Sequence, residues 1–370
     1  MDSKALGNYM SESIGRLMRG AYASVLSNPR EALFVSRMAA LFRRSERTRL
    51  KVGEREGIDV PPFLIASIAT ACNLSCKGCY AREGGIVGRD TTSTRPLLSA
   101  EQWQAVFREA ASMGINFALL AGGEPLMRHD LIAAIAEVKD MLFPVFTNGT
   151  LIGPSWLSFF EQHLNVVPVV SLEGLQQATD DRRGAGVYER AMMSVNELGK
   201  RDLFFGTSIT VTTANMQFVT SSDFLEGLSR AGCRLVFFVE YVPFDAGTEH
   251  LALKPEDSQL MEQLVEDCRV RHEGMLFLSF PGDEQALGGC LASGRGFFHI
   301  GPDGAAEPCP FSPYSDSNVA TMGVAGALRS PLFRRLRDLR ALGWEHTGGC
   351  TLFEHREEVE RLLAEGSAEQ

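Results

Sequence analysis

The sequence predicts an α/β protein whose largest part is a partial (β/α)6 barrel. Between residues 63 and 242, apolar strand-like segments alternate with amphipathic helix-like segments in six successive units. Such alternation predicts a parallel sheet with right-handed crossovers, and six units suit an incomplete barrel of the TIM type. Functional residues are then expected at the carboxyl ends of the strands.

Each element of this barrel has a local signal. The first strand is the apolar run FLIASIA, and Ser99 with Gln102 has the capping-box spacing that begins a helix. The expected strands are Phe63–Ala69, Asn116–Ala121, Phe143–Thr147, Val166–Leu172, Leu203–Val211 and Leu235–Val242. The expected helices are Ser99–Ser112, Leu131–Val138, Trp156–Leu164, Tyr188–Lys200 and Phe224–Ala231. After Pro243 the alternation weakens, and Gly and Pro become frequent around 281–313.

Three parts are expected along the chain: a helical extension at 1–60, the barrel at 61–281 and a small domain at 282–370. The extension has 11 Lys and Arg against 7 Asp and Glu, a net charge of +4, whereas the whole chain carries −10. Leu33, Phe34, Met38 and Leu41 recur at helical spacing, with arginines largely between them. This helix either packs on the barrel or contacts a membrane surface or an acidic partner.

Composition limits the class of protein. The chain has 370 residues, of which 45% are hydrophobic and 22% charged, as in ordinary globular proteins. The net charge of −10 argues against nucleic-acid binding. We find no apolar run of membrane-spanning length and no signal peptide, so a cytoplasmic location is expected. Eight cysteines are then expected to be reduced thiols or metal ligands.

Three of these cysteines stand close together after the first strand, at Cys72, Cys76 and Cys79. Three thiolates on one loop can ligate three irons of a four-iron cluster, which leaves one iron open to another ligand. Structural zinc is the alternative, but its fourth ligand would have to come from a distant part of the chain.

The spacing Cys72-x3-Cys76-x2-Cys79, with Tyr80 next, resembles the motif of the radical S-adenosylmethionine (SAM) superfamily. The resemblance implies a [4Fe–4S] cluster whose open iron binds SAM. An electron from a donor such as flavodoxin or ferredoxin would then yield a 5′-deoxyadenosyl radical, which abstracts a substrate hydrogen under anaerobic conditions. Gly78 departs from many members, which have an aromatic residue before the third cysteine.

The same resemblance implies further cofactor contacts at the ends of the strands. The turn Gly122-Gly123-Glu124-Pro125 would engage the SAM amino group, with Glu124 as the acceptor. Other implied cofactor-binding residues are Tyr80, Asn148, Ser171, Glu173, Arg183 and Ser208. Each could instead be a polar group that is satisfied within the protein. No catalytic residue is singled out, and Glu240, Tyr241, Asp245, Asp283 and Glu284 remain open as proton donors or acceptors.

A second cysteine group, Cys290, Cys309 and Cys350, lies near the carboxyl end of the chain. Gly304-x4-Cys309 resembles the start of the SPASM or twitch domains, which implies a small iron–sulfur domain. Three cysteines can hold one auxiliary [4Fe–4S] cluster with an open or non-cysteine position, for which His346 or His355 are candidates. Packed thiols are the alternative. Cys233 and Cys268 are expected to be buried apolar residues.

The expected function is that of a radical SAM enzyme, and the resemblance favours a peptide or protein substrate. A small metabolite or a lipid is the alternative for the same chemistry. A non-catalytic iron–sulfur electron carrier is the alternative from another class. Such a carrier has no use for the turn at Gly122–Pro125, and its cluster would normally have four protein ligands.

Overall fold

The computed structural model describes residues 29–286, 289–341 and 350–368. Ten strands form one sheet in the order β10-β9-β8-β1-β2-β3-β4-β5-β6-β7. The strands are β1 Phe63–Ala69, β2 Phe117–Gly122, β3 Phe143–Thr147, β4 Val166–Leu172, β5 Gly206–Val211, β6 Leu235–Glu240, β7 Leu276–Phe280, β8 His299–Ile300, β9 Ala305–Glu307 and β10 Ser317–Asn318. Strands β1 to β7 pair in parallel with their neighbours, and β10 and β7 are the two edges. The prediction of a partial α/β barrel is confirmed.

Helices cover the outer face of this sheet. The longer ones are α1 Pro29–Glu56, α2 Ala100–Ser112, α3 His129–Ile135, α4 Pro154–Gln162, α5 Gln176–Arg183, α6 Val187–Lys200, α7 Ser222–Arg230, α8 Pro255–Arg271, α9 Val319–Leu328, α10 Pro331–Ala341 and α11 Arg356–Ala368. Shorter helical turns are Tyr80–Glu83, Arg89–Thr92, Pro125–Met127, Met216–Val219, Glu249–Leu251, Gly282–Ala286 and Thr351–Glu354. No helix in the described ranges is long and apolar enough to cross a membrane.

The sequence interpretation missed the seventh unit of the barrel, α8 and β7. Helix α8 buries Ser258, Met261, Val265 and Cys268 at helical spacing, but two of these four are small and not strongly apolar. Strand β7 is only five residues long, and three of them are partly exposed. Short and weakly patterned elements of this kind give a poor periodic signal.

Helix α1 packs across the amino-terminal end of the barrel. Its Phe34 is buried, and Met38 and Phe42 are partly buried beside it in a cluster with Phe117 and Val167, at the starts of β2 and β4. The rings of Phe34 and Phe204 are 4.8 Å apart. This contact supports the alternative in which the helix packs on the barrel. Membrane contact remains a prediction, and the apolar side chains on which it depends are largely packed.

The two faces of the sheet have different surroundings. Outward side chains such as Leu64 and Ile68 are buried against the helices, where α2 contributes Trp103 and Phe107, both fully buried. Burial of such side chains contributes roughly 2–3 kcal/mol each. Inward side chains are also mainly apolar, but several of them are only partly buried because they line a cavity.

The carboxyl-terminal residues continue the same sheet beyond β1. Strand β8 pairs in parallel with β1, so His299 lies opposite Ile65. The buried His299 ring is hydrogen-bonded to Glu307 at 2.6 Å and to Ser67 at 2.8 Å. Arg89 donates to the other oxygen of Glu307 at 2.8 Å. This network ties β1 and β9 to the segment that follows the cysteine loop.

Candidate cofactor-binding site

The first cysteine group lies at the carboxyl end of β1, before the helical turn Tyr80–Glu83. Cys72, Cys76 and Cys79 line one cavity of about 300 Å³. Burial raises the pKa of Cys72, and the neighbouring thiols Cys76 and Cys79 add to the effect. Burial likewise raises the pKa of Cys76, although Arg183 and Arg182 oppose it. Binding of positively charged iron would stabilise these thiolates, because a bound metal favours the deprotonated thiol.

Side chains from neighbouring strands hold this loop. Asn73 donates to the Thr150 hydroxyl at 2.9 Å and accepts from the Asn148 amide at 2.8 Å. The Lys77 N–H donates to the carbonyl of Arg182 at 2.9 Å. The loop is therefore attached to the ends of β3 and of α5, so the three thiols keep a defined position in the cavity.

Glu124 is a buried carboxylate in the wall of the same cavity, with 1% of its surface exposed. It accepts hydrogen bonds from the Thr147 hydroxyl at 2.7 Å, the Asn148 N–H at 2.8 Å and the Leu126 N–H at 3.0 Å. Burial raises its pKa, and these hydrogen bonds oppose the rise. The carboxylate is oriented before any ligand arrives, as expected of a binding group.

The glycines before Glu124 allow the turn to touch the cysteine loop. A β-carbon at Gly123 would lie 2.1 Å from the carbonyl oxygen of Ala71, and Gly122 has a φ of +114°. The Gly123 N–H donates to the Ala69 carbonyl at 2.7 Å. Pro125 then begins the helical turn, a position that suits proline. The Gly-Gly-Glu-Pro sequence is therefore explained by close packing as well as by the placement of Glu124.

Ser171 and Ser208 face the cavity from adjacent strands, and their hydroxyl oxygens are 3.0 Å apart. Asn148 also lines the cavity, as do Gly122 and Gly123. Glu173 and Pro125 do not line it. Glu173 instead accepts from both Arg182 at 2.6 Å and Arg183 at 2.8 Å. The predicted Arg183 thus lies at the cavity with its charge already partly paired.

Arg182 is a site residue that the sequence interpretation missed. Its guanidinium donates to Glu173, to the Thr210 hydroxyl at 2.9 Å and to the Gly78 carbonyl at 3.4 Å. It is 20% exposed and lines the cavity beside Arg183. The only signal in the sequence was its position next to Arg183, since its contacts come from three separate segments.

The second cysteine group is also brought together. Cys309 is 1% exposed, and its thiol lies close to those of Cys350 and Cys290. Burial raises the pKa of Cys309 well above its ordinary value, and the thiols of Cys350 and Cys290 add to this. Apolar side chains including Leu291 and Phe353 surround the group. Position 346 lies outside the described residues.

Tyr80 lies between the two cysteine groups. Burial raises the pKa of its hydroxyl, and the nearby Cys79 and Cys309 add to the rise. Its ring meets that of Phe311 edge-on, with centroids 5.3 Å apart. Cys233 and Cys268 are fully buried apart from both groups, as predicted. None of the eight cysteines forms a disulfide.

The cysteine thiols and the carboxylate of the cavity fit the needs of an iron–sulfur cluster. Within the described ranges, no three His, Cys, Asp or Glu side chains converge as the ligands of a single metal ion do. In a four-iron cluster each thiolate binds a different iron, so the three sulfurs need not converge on one point. Three cysteines on one cavity wall, with a carboxylate in another, meet the needs of a cluster with one open iron.

Comparison with known proteins agrees with this geometry. Residues 66–228 match the family model described as the Radical SAM superfamily. The AdoMet-dependent heme synthase of Methanosarcina barkeri is 28% identical over 330 residues, which is 80% of this chain and 89% of that protein. The mycofactocin maturase MftC of Mycobacterium tuberculosis is 26% identical over 303 residues, 78% of this chain and 75% of that protein.

Solved structures share the fold. Streptococcus suis SuiB bound to S-adenosylmethionine superimposes with a TM-score of 0.63 at 17% identity, covering 80% of this chain and 72% of that one. Native anSMEcpe with bound AdoMet gives a TM-score of 0.58 at 14% identity, covering 83% and 97% of the two chains.

Proposed function

We propose that this chain, which belongs to the radical SAM superfamily through residues 66–228, is an enzyme that modifies a peptide by radical chemistry. Cys72, Cys76 and Cys79 would hold the [4Fe–4S] cluster. When bound and reduced by one electron, the cluster and SAM together supply a 5′-deoxyadenosyl radical that abstracts a substrate hydrogen. The observation that carries the proposal is the meeting of three cysteines and the oriented Glu124 carboxylate in one cavity.

The residues of the cavity would bind and orient SAM. Glu124, fixed by Thr147 and Asn148, would accept hydrogen bonds from the SAM amino group. Ser171 and Ser208 would donate or accept at polar groups of the cofactor, and Arg183 would attract its carboxylate. Tyr80 would close the side of the cavity that faces the second cysteine group.

The inner wall of the barrel would keep water away from the reacting atoms. Several of its apolar side chains are partly exposed to the cavity, including Leu119, Phe146, Val239 and Leu278. An apolar lining excludes water from the reacting atoms. It also favours an apolar reacting group on the substrate.

Cys290, Cys309 and Cys350 would hold one auxiliary [4Fe–4S] cluster in the carboxyl-terminal domain, 282–370. The grouping of these thiols in an apolar environment supports this role. The proximity of Tyr80 to both Cys79 and Cys309 supports an auxiliary cluster that would lie next to the reaction cavity and take up an electron. The external electron donor would be a flavodoxin or a ferredoxin, and the cytoplasmic location remains a prediction.

A peptide substrate is supported by two structural neighbours. SuiB has been solved with its precursor peptide SuiA, and anSMEcpe with a peptide named Cp18Cys. A small-metabolite substrate is the second candidate, because a relative aligned over most of its length is named as a heme synthase.

Anaerobic assay of the cluster-loaded protein with SAM and dithionite tests the radical function. We expect 5′-deoxyadenosine from the wild type, none from Cys76→Ala, and unchanged formation from Cys268→Ala, a buried cysteine outside the site. Absence of 5′-deoxyadenosine from a wild type with a full cluster would contradict the proposal. Peptide pools and an iron porphyrin, added separately, distinguish the two substrate classes: the proposal expects stimulation by peptides, and stimulation by the porphyrin alone favours the metabolite.

A further inference from the structure

Gly78 is a glycine of the cysteine loop. Tyr241, which is distant in sequence, occupies the space that a side chain at position 78 would fill. Gly78 lies between Cys76 and Cys79 with a φ of +59°, a conformation that disfavours any side chain. A β-carbon at this position would lie 2.2 Å from the hydroxyl oxygen of Tyr241 and 2.9 Å from two carbons of its ring. The space beside Cys79 is therefore filled by Tyr241.

Tyr241 is fixed at both ends. It follows β6 directly, and its N–H donates to the Val211 carbonyl at 2.9 Å, which extends the pairing of β5 with β6. Its hydroxyl donates to the Thr248 hydroxyl at 3.0 Å, and Thr248 in turn donates to the Asp245 carbonyl. Only 6% of Tyr241 is exposed. The ring thus has one defined position against the loop.

The loop is held from α5 at the same point. Lys77 donates its N–H to the Arg182 carbonyl, and Arg182 donates to the Gly78 carbonyl at 3.4 Å. The backbone of Lys77 and Gly78 is therefore attached to α5, and Gly78 also lies against Tyr241. Tyr241 and the three cysteines line the same cavity. A ligand of the open iron would bind in the cavity that this ring helps to line.

We infer that Tyr241 is a positioning residue for SAM: its ring forms the cavity wall beside Cys79 that a side chain at position 78 would otherwise form. The inference rests on the proposed function, since it assumes that SAM binds at this cluster. The ring contributes a flat apolar surface at low cost in conformational freedom, because both of its ends are held. The cluster loop and β6 together then shape the cofactor site.

SAM titration of the reduced, cluster-loaded protein, followed by the change in the electron paramagnetic resonance signal, tests the inference. Tyr241→Ala should keep the iron content of the wild type, about eight irons per chain for two clusters, and bind SAM about tenfold more weakly, a change of about 1.4 kcal/mol. Tyr241→Phe should stay within about threefold of the wild type, because the ring remains. Tyr314→Ala is the matched control: this tyrosine is partly buried outside the cavity, so SAM binding should not change.

A double variant tests the steric argument. Gly78→Ala should lose SAM binding because its methyl group meets the Tyr241 ring, and Gly78→Ala/Tyr241→Ala should lose less than the two single changes combined. Normal SAM binding by iron-loaded Tyr241→Ala would overturn the inference. So would loss of the cluster in both Tyr241→Ala and Tyr241→Leu, which would make Tyr241 structural. If the wild type itself binds no SAM, the proposed function fails instead.

Discussion

Glu240 is a buried carboxyl group that should make the stability of the protein depend on pH. It is 4% exposed, and its Oε2 has no hydrogen-bond partner among the described residues. Burial, followed by repulsion from Glu284, Glu262 and Asp283, raises the pKa of Glu240 to about 7. Asp283, one of the repelling carboxylates, is itself paired with Arg269 at 2.8 Å. The Glu240 carboxyl group therefore stays protonated in the folded protein well above its ordinary pKa of 4.5.

The sign and size of the effect follow from this pKa. Between pH 4.5 and 7 the unfolded chain has released the proton while the folded protein still holds it, so each rise in pH favours unfolding. The raised pKa thus gives stability that is fully present below pH 4.5 and lost by about pH 7. A difference of about 2.5 pKa units at about 1.36 kcal/mol each gives about 3 kcal/mol.

The variant Glu240→Gln should not lose this stability as the pH rises from 4.5 to 7, because glutamine does not ionise. For 370 residues the entropy of unfolding is about 0.8 kcal/mol/K, so about 3 kcal/mol corresponds to about 4 °C in melting temperature. We expect the variant to melt about 4 °C above the wild type at pH 8 and about 1 °C or less above it at pH 5.

Differential scanning calorimetry of anaerobic, cluster-loaded protein at one scan rate measures this, because irreversible unfolding makes the melting temperature depend on scan rate. Glu189→Gln, an exposed carboxylate on α6, is the control and should melt like the wild type at both pH values. An equal difference between Glu240→Gln and the wild type at pH 5 and pH 8 would refute the reasoning. So would a variant that melts lower at pH 8.

Three further changes test the packing and the loop anchors. Phe34→Ala removes a buried ring below the barrel and should cost about 3–5 kcal/mol, seen as a fall in melting temperature; an unchanged melting temperature would contradict the α1 contact. His299→Ala leaves Glu307 and Ser67 without this partner and should cost about 2–4 kcal/mol, whereas equal stability by calorimetry would show that the network contributes little. Arg182→Gln should slow 5′-deoxyadenosine formation about tenfold, and full activity would contradict its role in holding the loop.

The elements with strong periodic patterns could be predicted from the sequence. Strands β1, β3 and β4 have the predicted bounds, because each is a short apolar run between turns. The seventh unit was missed because α8 buries small and polar residues, and its strand is short. The pairing of β8 with β1 could not be predicted either, since a two-residue strand has no periodicity.

The cysteines and Glu124 could be found because their spacing lies within short segments of sequence. The residues that support them could not. Arg182 contacts Glu173, Thr210 and Gly78. Tyr241 lies against Gly78, although more than half of the barrel sequence separates the two residues. Such contacts depend on tertiary structure, and no local pattern in the sequence specifies the partner.

The iron and sulfide content of a Cys72/Cys76/Cys79→Ala triple variant, reconstituted anaerobically, tests the central claim most directly. If Cys290, Cys309 and Cys350 hold an auxiliary cluster, the variant retains about four irons per chain and the wild type holds about eight. It should also form no 5′-deoxyadenosine. A variant with almost no iron, beside a wild type with about four, would contradict the account of two clusters on either side of Tyr80.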